Sequence, residues 1–168
     1  PIIDLGRMSF IAVGNKLSKI DSSSDVYPTT DFIASTEPDG DNNACIYLTK
    51  KVTLENAATA LKVFFAGHRH STATIKAYYK ILRTDDASEF DDLGYVAFNS
   101  DGSPDTATQN ATTKDTFAQF VYTAGVTDDG VGTPLDEFIS FQIKIVLQGT
   151  NAAQPPRIKD FRALALAT

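Results

Sequence analysis

The segment Phe138 to Gln148, FISFQIKIVLQ, constrains the fold more than any other part of the chain. Ile139, Phe141, Ile143, Ile145 and Leu147 alternate with Ser140, Gln142, Lys144, Val146 and Gln148. Side chains of a strand point to opposite faces with a period of two, so this pattern predicts a long strand with one apolar and one largely polar face. A second strand-like run, PRIKDFRALALA, closes the chain. Neither run carries helical periodicity.

Other segments alternate in the same way. Ala44, Ile46 and Leu48 alternate with Cys45, Tyr47 and Thr49, and Leu61, Val63 and Phe65 with Lys62, Phe64 and Ala66. In TATIKAYYKILR the odd positions Ala73, Ile75, Ala77, Tyr79 and Ile81 are expected to face the core. Val52 and Leu54 lead into a short crossing at NAATA, Phe117 to Thr123 reads as a further strand, and Ile2 to Val13 as an apolar opening strand or pair. About seven or eight strands with irregular loops predict an all-β fold, a two-sheet antiparallel β-sandwich of jelly-roll or galactose-binding-like type. Ile75, Tyr79, Ile81, Phe141, Ile143 and Ile145 are the expected shared core.

At 168 residues, with 42% hydrophobic and 21% charged residues, the chain fits one ordered domain spanning 1–168. It begins at Pro1 rather than Met, which suggests a fragment or processed product of a longer parent. The long stretches Asp21 to Asn43 and Thr84 to Lys114 are rich in Asp, Ser, Thr, Pro and Gly, and read as solvated connections, the second as the most mobile. The loops are the expected place for recognition.

The net charge of −6, with 15 basic residues scattered along the chain, argues against binding of nucleic acid. No apolar run approaches the ~20 residues of a membrane span, and the first residues lack the pattern of a signal peptide. A single cysteine, Cys45, rules out an internal disulfide, fits synthesis in a reducing cytoplasm and reads as a small core residue.

The search for chemistry assigns no catalytic, cofactor-binding or metal residues. His68 and His70 flank Arg69 at a strand end, where their spacing would place both imidazoles on one face, as a zinc site uses. Such a site needs a third ligand and an oriented surround, and the sequence offers neither, so a polar strand end is the preferred reading. Asp39, Asp41 and Asn42, then Asp85, Asp86, Glu89, Asp91 and Asp92, then Asp128 and Asp129 carry oxygens of the kind Ca²⁺ takes, but none has EF-hand spacing and turn chemistry accounts for them. Asn110-Ala111-Thr112 fits a glycosylation sequon without a secretory context. Cys45 has no candidate base beside it, and no G-x-S-x-G is present. Tyr78, Tyr95 and Tyr122 are weighed as a sugar-stacking platform against sheet-face or core positions.

The strand pattern of LENAATALKVFFAGHRH, TATIKAYYKILR and FISFQIKIVLQGTNAAQPPRIKDFRALAL resembles β-sandwich modules of virion structural proteins of tailed bacteriophages, T4-like phages and cyanophages, in tail, baseplate or fibre-associated proteins. It is also similar to galactose-binding-like jelly rolls, many of which bind carbohydrate. The first resemblance implies a non-enzymatic structural protein of the virion, a homo-oligomer in contact with other virion subunits. The second implies a module recognising a cell-surface glycan through loops at one end of the sandwich. Neither carries over individual site residues.

Overall fold

The computed structural model describes residues 2–4, 9–11, 45–106, 113, 115–126, 130–149, 151 and 153–167. Among these run ten strands: β1 (Ile2–Asp4), β2 (Ser9–Ile11), β3 (Cys45–Leu48), β4 (Val52–Ala58), β5 (Ala60–His68), β6 (Ala73–Arg83), β7 (Val96–Ala97), β8 (Ala118–Ala124), β9 (Phe138–Gly149) and β10 (Arg157–Leu166). The long connection expected from Asp21 to Asn43 lies outside the described residues, as do the side chain of Cys45, the sequon at Asn110, and Asp128 and Asp129.

Two antiparallel sheets pack face to face. One has the order β1-β2-β10-β5-β8; in the other, β3 and β4 share one side of β9, followed by β6 and β7. From β4 onward every connection crosses between sheets except β6 to β7, so β2-β10-β5-β8 faces β4-β9-β6-β7. That order is the folded-over double ribbon of a jelly roll.

The alternation read from the sequence builds the space between the sheets. Leu61, Val63 and Phe65 of β5, Ile75, Ala77 and Tyr79 of β6, Phe120 and Tyr122 of β8, and Phe141, Ile143, Ile145 and Leu147 of β9 form one buried cluster, with Ile81 partly buried against it. Phe65 stacks on Phe120 at 5.2 Å, and Tyr47 of β3 meets Phe161 of β10 edge-on at 5.8 Å, joining the two sheets. Gly67 is required where the Phe120 ring lies on the sheet, since a Cβ there would come within 2.5 Å of that ring.

Two bulges break the alternation. Leu82 pairs with Ser140 and Arg83 with Phe138, leaving Ile139 as the extra residue of β9. A one-residue insertion reverses the faces of the residues beyond it. Phe138 therefore joins Phe141 in the core at 6.3 Å, and Ile139, expected on the apolar face, is instead 36% exposed. In β10 the register slips between Lys159 and Arg162, with Asp160 in the left-handed region at φ 56. Ile158 faces the core before the slip, and Phe161, Ala163 and Ala165 after it.

Candidate functional site

The polar face expected on β9 is not open to solvent. Lys144 and Gln148 are fully buried and Lys80 of β6 nearly so, and the rings of Phe90 and Tyr95, from the segment after β6, lie over the two lysines. Lys144 lies directly across from Tyr78, and Lys80 from Gln142. The Lys144 Nζ sits 4.5 Å from the Tyr78 ring centre and 4.6 Å from that of Tyr95; the Lys80 Nζ sits 4.6 Å from Phe90 and 5.0 Å from Tyr95. The Tyr95 hydroxyl donates to Gln142 Oε1 at 2.6 Å, and Gln142 Nε2 donates to the Thr49 carbonyl at 2.7 Å. Burial lowers the Lys80 ammonium from its ordinary range, against the opposing pull of Asp91 and Asp92. The face is a cation–π layer that fixes the covering segment to the sheet. Within Thr84 to Lys114, expected as the most mobile stretch, most described residues are exposed, and three rings anchor it: Phe90 and Tyr95 are buried on this face, and Phe98 turns the sheet edge to lie 4.9 Å from Tyr79 and 5.7 Å from Tyr122 in the core.

This arrangement separates the three tyrosines. Tyr122 is in the inter-sheet core, Tyr78 and Tyr95 are beneath the covering segment, and no stacking platform forms from them. The two histidines make different hydrogen bonds. His68 is buried, its Nδ1–H donating to the Thr116 carbonyl at 3.0 Å, whereas His70 Nδ1 meets Thr72 Oγ1 at 2.8 Å in the turn. Desolvation holds the His68 imidazole below its ordinary value, with Arg157 and His70 adding to the effect and the Thr116 bond opposing it.

The acidic groups are engaged locally. Asp85 and Asp136 both pair with Arg83 at 3.0 Å, and Asp86 accepts from the Ser88 N–H. In the loop after Phe98, Asp101 accepts from Ser103 Oγ at 2.6 Å and pairs with Lys76 at 3.0 Å, which together hold its carboxyl down to about 2. Asp105 accepts from Asn99 Nδ2 and from the backbone N–H and hydroxyl of Thr123. Among the described residues no three His, Cys, Asp or Glu side chains are placed to hold a metal ion.

The outer face of β10-β5-β8 has a different character. The β10 bulge and the β5 register bring Arg157, Lys159 and Arg162 beside Lys62, Phe64 and Phe117. Basic residues scattered in sequence thereby form one group on an acidic protein. Lys159 Nζ lies 4.2 Å from the Phe117 ring centre and the Arg157 guanidinium 5.6 Å; Lys62 Nζ and the Arg162 guanidinium lie 5.5 Å and 5.7 Å from that of Phe64. Between the two rings is a cleft of about 290 Å³, with Ala66 at its floor and Gln119, Asp160 and Arg162 lining it. His68, through Thr116, ties down the segment that carries Phe117. Sequence reasoning did not find this cleft, since Phe64 and Phe117 are far apart in the chain and the slip at Asp160 is invisible without the pairing. The one signal available was the interruption of alternation at Lys159-Asp160.

Comparison of the chain with protein-family models, with curated proteins and with solved structures returns no match.

Proposed function

We propose that this chain is a non-enzymatic structural module of a tailed-phage virion, a homo-oligomer that contacts neighbouring subunits in the tail, baseplate or another part of the particle. The observation that carries this reading is the jelly-roll strand order, an architecture that recurs in viral capsid subunits as well as in lectins.

At two sheet edges a neighbour is kept from extending the sheet. The outer edge of β8 is occupied by Asp105, whose N–H donates to the Val121 carbonyl and whose carboxylate accepts from the Thr123 N–H. The β7 edge is two residues long. Both devices keep unpaired strand edges away from other chains. The face of β10, by contrast, presents Leu164 at 48% exposure.

Native mass measurement tests the reading. The expected result is a defined multiple of the 18.1 kDa chain, through an interface burying on the order of 1,200–2,000 Å², and a shift toward monomer on Leu164→Glu. A monomer at every concentration, together with failure of an antibody against the chain to decorate purified particles, overturns it.

A further inference from the structure

The two flanks of the sandwich differ at their edges. On one, β8 is occupied by Asp105 and β7 is two residues long. On the other, β4 runs for seven residues, and among the described residues β9 is its sole partner strand. Lys51, Val52, Thr53, Glu55 and Asn56 are exposed along it, Val52 at 38% although it stands opposite the core residue Phe141. Only Val52, Thr53 and Ala58 keep register with β9, and Leu54 to Ala57 stand against the single Ile139. Those four residues have no ladder partner there, and unpaired backbone groups at an exposed edge take water or another strand.

The side chains of this edge are complementary to themselves. By the period of two, Lys51, Thr53 and Glu55 share the outer face, where Lys51 Nζ lies 4.7 Å from the Phe90 ring centre, and Val52 and Leu54 share the inner one, with Leu54 packed against the core. Two copies of the strand related by a two-fold axis through Thr53 run antiparallel. Thr53 then stands opposite Thr53, Val52 opposite Leu54, and Lys51 opposite Glu55 at both ends, all pairs of the kinds that stabilise a ladder. Moving the axis one residue either way sets Lys51 against Ala57 or Thr53 and loses both opposite-charge pairs. Neither Lys51 nor Glu55 forms an ion pair with a described residue, so both charges are open to a partner. We propose that β4 pairs edge to edge with β4 of a second copy, antiparallel and centred on Thr53, which joins the two β9-containing sheets into one. This contact specifies one interface of the homo-oligomer proposed above and rests on that reading; it is separate from the face that carries Leu164.

Cysteine linkage reads the register directly. With Cys45→Ala removing the native thiol, Thr53→Cys should form a disulfide dimer under oxidised glutathione, since paired Cα atoms lie about 4.5–5.5 Å apart, within reach of a disulfide. Asn56→Cys, also exposed, should not link, because its two copies stand six residues apart along the paired strands, about 20 Å. Lys51→Glu and Glu55→Lys each set like charges opposite one another and should lower the yield of linked dimer about fivefold or more, whereas the two together restore opposite charges and should recover it. The same charge variants on the parent chain, followed by native mass, give this readout without any cysteine. Linkage at position 56 equal to that at position 53, a dimer unchanged by either single exchange, or failure of the double exchange to recover the loss overturns the proposal. A chain that associates by native mass but does not link through Thr53→Cys also overturns it and leaves the oligomeric reading in place, while a monomer at every concentration removes both.

Discussion

His68 and Tyr122 show how burial sets the chemistry of single side chains. His68 is enclosed at the end of β5 and donates from Nδ1 to the Thr116 carbonyl, and burial disfavours its charged form. With its folded pKa depressed below the ordinary value near 6.5, the unfolded chain binds the extra proton first as pH falls. Stability is therefore highest above that value and declines as pH drops below about 6.5, with a slope of at most about 1.4 kcal/mol per pH unit, until the folded form protonates as well. Denaturant melts at pH 7.5 and 5.5 measure this, and His68→Asn, which keeps a donor near the Nδ1 position, should flatten the difference. The Tyr122 hydroxyl is buried in the core with no hydrogen-bond partner among the described residues, and desolvation pushes its ionisation far above the ordinary phenol range. Removing an unsatisfied buried hydroxyl recovers its desolvation cost, so Tyr122→Phe should raise stability by about 1 kcal/mol in the same assay.

At the scale of elements, β9 is a strand whose two ends obey different parities. Phe141, on the regular side of the bulge, is 4% exposed between Phe138 and Ile81 in the core; Ile139, two residues away, stands at the surface. Truncation of the buried ring loses transfer free energy and leaves a cavity, so Phe141→Ala should cost about 3–5 kcal/mol. Ile139→Ala should stay within about 0.5 kcal/mol of the parent, as surface substitutions usually do. Similar losses for the two would show that the bulge is misplaced. The alternation of β5, β6 and β9 was legible in the sequence because a period of two is local, and six core residues follow from it. The bulges at Ile139 and Asp160 were not, because an extra residue is defined only against the partner strand that skips it.

At the scale of the whole molecule, the two outward faces of the sandwich are opposites. One is closed by the chain's own residues 84–103, with Phe90 and Tyr95 laid over Lys80 and Lys144. The other gathers Lys62, Arg157, Lys159 and Arg162 around two phenylalanines. Both depend on which strands become neighbours. The acidic average of −6 therefore conceals a basic face, and a reading of charge along the chain misses the grouping made by β10 beside β5.

The sequence by itself determined the class of fold and most of the inter-sheet core, because alternating apolar residues can bury one face only by pairing into sheets that pack together. It also placed His68 at a strand end and Tyr79 in the core. Tertiary structure alone decided the fate of the second faces. Lys144 and Lys80 read as polar-face residues, yet Tyr78 of β6 and the segment after that strand supply aromatic rings beside their charges. Phe64 reads as one more strand residue until β10 slips by one position and sets Arg162 and Asp160 beside it. Periodicity reports which way a side chain points; only the packed chain determines what it points at.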